Sequence, residues 1–209
     1  MAFIDELVKV ARREWTRWGG PAERIDGTLV GFSDPRMEDK SPFWTFVGEY
    51  WHSINIDRDG RDPQAWSAAF ICYCFKEAGA EQRFPYDGNH SIYVAKIDSG
   101  KFAGLSLADP GTTPLAIGDL LWASRTGTDC RTPPSTFADA KKEAKRIREH
   151  KADSFCSHCD IVVEIRAGEA DVIGGNVKQA ATRTTYKLDT QGRIRDGRRT
   201  FIGVIKNAL

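Results

Sequence analysis

Apolar positions Phe3, Ile4, Leu7, Val8, Ala11, Trp15 and Trp18 recur at helical spacing, and Gly19, Gly20 and Pro21 follow as a stop. Residues 3–18 are therefore expected to form an amphipathic helix. Residues 19–41 are rich in Gly, Pro and Asp, which predicts a long loop with little regular structure. A short aromatic helix is expected next in SPFWTFVGEYWHSI, with Ser41 as N-cap and Pro42 at the first helical position. Asp62 and Pro63 announce a third helix through AWSAAFICYCFKEAG, closed by Gly79. Ser67, Phe70, Ile71, Cys74, Phe75 and Ala78 share one face of it, which makes it a core helix with Ser67 near its N-terminal end.

After about residue 115 the period shortens to that of strands. AIGDLLWAS, CDIVVEI, ADVIGG, RTTYKL and TFIGVIKNA are short, rich in β-branched residues and separated by turn residues, with RAGE as a hairpin turn. Helices first and strands second predict an α+β fold, with N-terminal helices packed on a five- to six-stranded antiparallel sheet. An insertion at about residues 125–157 separates the first two strands. Its Phe137, Ala140, Ala144 and Ile147 make an apolar stripe, while Lys141, Lys142, Lys145, Arg146 and Arg148 crowd the other faces. Such a helix either covers the sheet with a solvated outer face or acts as a lid or anion-contacting arm.

A chain of 209 residues without a Ser/Gly/Pro linker suggests one domain over 1–209. With 30 basic and 29 acidic residues the formal charge is +1, so no global field draws the chain to nucleic acid or to an anionic membrane. No apolar run reaches the roughly 18 residues of a membrane span. Asp5 and Glu6 stand where a signal peptide would need a basic and then an apolar run, so a product cytoplasmic as synthesised is expected. Five cysteines cannot all pair within the chain, and reduced thiols are the simpler expectation. Gly-rich phosphate loops and paired-carboxylate signatures are missing from the sequence, and no cofactor is expected.

Three segments carry chemistry in a fixed order: AWSAAF opening the core helix, SHCDIVVEI opening a strand and VIGGNV closing the next. This order resembles the NlpC and CHAP families of papain-like cell-wall hydrolases, where W-C-A-A-F, G/S-H at a strand head and G-G-N correspond. Over nearly its full length the chain also resembles the bacterial family called domain of unknown function 2272, through WSAAF, RFPY…HSIY, GDLL, HCDIVV and IGGNV. The resemblance implies a papain-like α+β hydrolase with Ser67 on the nucleophile position, His158 on the base position and Asn176 orienting the base. A helix N-terminus suits such a nucleophile, because its dipole and free amides favour a developing oxyanion. Serine departs from the superfamily's cysteine. A hydroxyl must lose its proton during attack, so Ser67 is a nucleophile with a strong base, a relic in a binding module, a replacement of cysteine, or a structural residue.

His90 and Tyr93 in GNHSIYV sit at a comparable place in the resembling family and are expected to line the pocket beside Trp66, with His90 as an alternative base. His90 is otherwise a helix-start histidine, and Asn176 is otherwise a turn residue tolerating a left-handed backbone. Cys130, His150, Cys156, His158 and Cys159 can be drawn as a zinc site, but a second close pair is lacking and Cys159 should alternate away from His158. No metal is expected. The implied substrate is an amide or ester bond, with peptidoglycan stem peptides foremost. A secretion-system or phage-tail carrier and an immunity protein are the implied partners, and a degenerate module binding a peptide or glycan is the alternative.

Overall fold

The computed structural model of the chain describes residues 2–32, 37–127, 130 and 132–209. Helix α1 (Phe3–Arg17) ends where predicted and buries Leu7, Val10 and Ala11. It also buries Glu14, whose carboxylate accepts from the Tyr50 hydroxyl at 2.9 Å and from Arg13 at 3.0 Å, so the buried charge is partnered. The chain then reverses through Gly19 and Gly20, both at positive φ, where a side chain would be strained. The described residues between 19 and 41 hold more regular structure than their composition suggests: β1 (Ala22–Glu23), β2 (Leu29–Val30) and a 3-10 turn (Met37–Asp39), while residues 33–36 of the expected loop lie outside the described residues. Two-residue strands leave no periodicity to read. They exist because the turn from α1 lays them on a sheet edge built elsewhere.

Helix α2 (Phe43–His52) starts one residue later than expected, with Pro42 rather than Ser41 as its N-cap. Helix α3 (Ser67–Glu77) and helix α4 (His90–Ile97) complete the layer, and Gly79 at φ 83 closes α3. Strands β3 (Leu105–Ala108) and β4 (Leu120–Ser124) precede the insertion, whose helix α5 (Phe137–Arg148) is capped by the Thr136 hydroxyl accepting from the Asp139 amide. Strands β5 (Ser157–Arg166), β6 (Glu169–Val177), β7 (Ala180–Lys187) and β8 (Phe201–Asn207) follow.

The result is an α+β domain with five α-helices and one eight-stranded sheet among the described residues, in the order β2-β1-β7-β6-β5-β4-β8-β3. The sheet is larger than the expected five or six strands and is mixed, because β1 runs parallel to β7. Alternation along the central strands sorts the core into two faces. Trp122, Cys159, Ile161, Ile173 and Ile205 face the helices, while Leu121, Val162, Val172, Val204 and Tyr186 form a smaller cluster on the opposite face.

Cys130 and Cys156 form a disulfide, with Cα atoms 5.6 Å apart, which corrects the expectation of reduced thiols. The insertion folds back on itself and brings together two cysteines that are 26 residues apart. Cys72, Cys74 and Cys159 are free and buried. No described helix is long and apolar enough to cross a membrane.

Candidate functional site

Two helix starts converge beneath the sheet's end. Ser67 is the first residue of α3 and His90 the first of α4. Ahead of α3 the Trp66 indole N–H donates to Glu38 Oε2 at 2.6 Å, and the Phe70 amide donates to the Trp66 carbonyl at 3.0 Å. The amides of residues 67–69 precede that first helical bond, so the positive end of the helix dipole acts on the Ser67 hydroxyl.

Ser67 Oγ lies 2.7 Å from His90 Nε2, and His90 Nδ1 lies 2.6 Å from the Tyr93 hydroxyl, one turn along α4. With the ring hydrogen on Nδ1, the bonds form one row in which Ser67 donates to Nε2 and Nδ1–H donates to the Tyr93 hydroxyl oxygen. Burial holds His90 well below the ordinary histidine range, and the charges of His158 and Arg125 press in the same direction. The imidazole is thus neutral near pH 7, and in the Nδ1–H tautomer it carries a lone pair toward Ser67.

His158 belongs to a second constellation. Its Nε2 lies 2.8 Å from Asp160 Oδ1, and Asp160 Oδ2 lies 3.6 Å from Arg199. The two-residue period of β5 explains the pairing, because His158 and Asp160 share one face with Val162 while Cys159 points to the helices and Tyr93. Cross-strand pairing agrees, placing Asp160 opposite Leu121 and His158 opposite Ala123. Gly174 makes room for the pair: a Cβ there would stand 1.9 Å from Asp160 Oδ1 and 2.8 Å from His158 Nε2. Burial lowers the His158 pKa, only partly offset by Asp160, and Arg199 and Arg125 add to the lowering. Burial would raise Asp160, yet His158 and Arg199 hold it below the usual carboxylate range. Asp160 is therefore ionised and fixes the N–H of a neutral His158 on Nε2.

The two constellations touch. The rings of His90 and His158 stand edge to face with centroids 5.5 Å apart. His158 also lines a cavity of about 410 Å³ at the end of the sheet, together with Arg125, Asn176, Lys178, Arg198 and Arg199.

The expected line of Ser67, His158 and Asn176 is thus not one hydrogen-bonded row: Ser67 pairs with His90, His158 with Asp160. Asn176 sits in a bulge at φ 57 and lines the cavity beside His158, and no hydrogen bond joins it to His158 among the described residues. Trp66 is buried in the aromatic core, stacked on Trp18 at 5.1 Å, and does not line the cavity. Tyr93 is fully buried behind His90 rather than exposed to a ligand. The basic helix α5 packs on α4, with Arg148 and Lys141 both on Asp98, and no residue of α5 lines the cavity. Cys130 and Cys156 bond each other, and the described residues hold no group of three His, Cys, Asp or Glu side chains suited to a metal. Asp160, Arg125 and Arg199 escaped sequence reasoning, although Asp160 carried a signal: a strand residue two after His158 must share its face.

The profile of a family described as uncharacterized protein conserved in bacteria (DUF2272) matches residues 44–203, well over half of the chain. No curated protein and no solved structure matches it.

Proposed function

For this chain, which belongs to the DUF2272 family of bacterial proteins, we propose a hydrolase of amide or ester bonds with Ser67 as nucleophile and His90 as general base. The observation that carries the reading is the 2.7 Å contact between Ser67 Oγ and His90 Nε2 at the start of two helices. In the reaction Ser67 Oγ attacks the carbonyl carbon while its proton passes to His90 Nε2. Tyr93, accepting from Nδ1–H, keeps the ring in the tautomer that can take that proton. The first-turn amides of α3 stabilise the oxyanion, and His90 returns the proton to the leaving amine or alcohol. A water then repeats the sequence and releases the acyl group from Ser67.

Relationship to the papain-like NlpC and CHAP hydrolases, and with it peptidoglycan stem peptides as substrate, rests on the order of AWSAAF, SHCDIVV and IGGNV alone. In this reading the base has moved from the strand head to the neighbouring helix. A second reading, a module that binds a peptide or glycan without cleaving it, is favoured by the burial of Ser67, which is 3% exposed.

Purified peptidoglycan and a panel of acyl esters, incubated with the native chain, Ser67→Ala and His90→Ala, decide between them. Hydrolysis by the native chain that falls at least about 100-fold in both variants is expected. Equal product from native and Ser67→Ala removes Ser67 from the mechanism. Binding without product from any of the three points to the module.

A further inference from the structure

The cavity beside His158 has an unbalanced lining. Four cationic side chains, Arg125, Lys178, Arg198 and Arg199, meet a single acid, Glu23. Glu23 is committed to Arg198 at 3.0 Å, and Arg198 is held further by Asp196 and by the carbonyls of Arg24 and Thr185. That pair cancels and is structural. Arg199 leans on Asp160 at 3.6 Å, outside hydrogen-bond distance, and Asp160 is shared with His158. The charge of Glu38 also reaches Arg125, but Glu38 Oε2 already accepts the Trp66 indole N–H. Arg125 and Lys178 thus add positive charge across the mouth, and Asn176 adds an amide beside them.

Arg125 lines the cavity with His158, whose ring stands against His90, the partner of Ser67. The Arg125 amide donates to the Cys156 carbonyl at 3.1 Å, two residues before His158, and its charge acts on both His90 and His158. A negative group held by Arg125 would lie beside the two touching imidazoles.

We infer that this cavity is an oxyanion subsite, in which Arg125, Lys178 and Arg199 take a carboxylate or phosphate of the ligand next to the Ser67–His90 pair. A planar guanidinium pairs with either group through parallel N–H donors. That the bound molecule is a substrate rests on the hydrolase reading; that the cavity binds an oxyanion does not. A scissile bond close to a free carboxylate is then the substrate class this site selects.

Isothermal titration tests the subsite apart from turnover, using native chain, Ser67→Ala, Arg125→Gln and Lys178→Gln. The probes are an N-acetylated alanine dipeptide with a free carboxylate, the same dipeptide as its C-terminal amide, and inorganic phosphate. Native and Ser67→Ala are expected to bind the carboxylate form at least about tenfold more tightly than the amide, with affinity falling as salt rises. Arg125→Gln, at an exposed position outside the helices and strands, should lose most of that preference, and Lys178→Gln part of it. Phosphate binding that is lost in Arg125→Gln, with no binding of the dipeptide, keeps the subsite and assigns it to phosphoryl ligands. Equal affinity for acid and amide, no binding of any probe, or binding that neither substitution changes overturns the inference. Ser67→Ala that binds while the native chain never turns over leaves the subsite standing and removes the hydrolase.

Discussion

At the scale of single residues, the chemistry turns on where two histidines keep their protons. His90 is 5% exposed and sits between Ser67 and Tyr93, and its pKa is lowered by burial first and by His158 and Arg125 second. A base works only when neutral, so hydrolysis should hold through pH 6.5, the ordinary histidine value, and its acid limb should lie well below it. Tyr93→Phe should lower the rate about tenfold, because Nδ1–H loses its acceptor and the alternative tautomer, which cannot accept from Ser67, becomes as good. The same change leaves a buried donor unpaired and should lower stability by about 1–3 kcal/mol. Rate against pH for native, Tyr93→Phe and His158→Ala checks both points. A His158→Ala protein that loses at least about 100-fold in rate together with the acid limb, while Tyr93→Phe keeps both, would hand the role of base back to His158.

At the scale of elements, two adjacent glycines on β6 let two layers meet. Gly175 faces α3, where an added Cβ would stand 2.4 Å from Phe70 Cβ, and Gly174 faces the other way, against Asp160 and His158. Alternation gives each glycine a different duty: one seats the helix that carries Ser67, the other seats the His158–Asp160 pair. Gly174→Ala is therefore expected to cost at least about 2 kcal/mol and to weaken oxyanion binding, since a methyl at 1.9 Å must expel the Asp160 carboxylate. Gly197→Ala, where nothing lies within 4 Å and φ is not in the left-handed region, should stay within about 0.5 kcal/mol. Urea unfolding of the two variants against native makes the comparison, and equal midpoints would show that β6 yields freely at Gly174.

At the scale of the whole molecule, the fold buries groups that would rather be charged in water. His90 and His158 both have folded values below their unfolded value near 6.5, so on acidification the unfolded chain takes up protons first. Stability should be level above about pH 7 and begin to fall near pH 6.5. The steepest slope is about 1.4 kcal/mol per pH unit for each histidine, and the fall continues until the folded values are reached. Asp160, also lowered in the folded state, adds a further loss of the same sign below about pH 4. Between pH 7.5 and 5.5 the native chain should thus lose stability, read from urea midpoints, and His158→Gln should lose less over the same interval. Stability that rises over this interval would mean that the imidazoles are charged in the folded chain.

What the sequence determined by itself was everything that repeats along the chain. The helical spacing from Phe3 to Trp18, Gly79 as a helix stop, the RAGE turn and the strands after residue 115 are local patterns, and the elements appear within a few residues of where those patterns lie. Ser67 at a helix start and Asn176 in a left-handed turn were legible for the same reason. What only the tertiary structure decided was who meets whom. His158 heads its strand as expected, but pleating pairs it with Asp160 rather than with Ser67, while the docking of α4 brings His90 to Ser67 from 23 residues away. The parallel seat of β1 on β7 and the Cys130–Cys156 bond likewise join segments far apart in the chain, and periodicity carries no record of such contacts. The cavity's charge is of this kind too: Arg125, Lys178 and Arg199 come from three separate connections in a chain whose net charge is +1, so only folding concentrates them at one mouth.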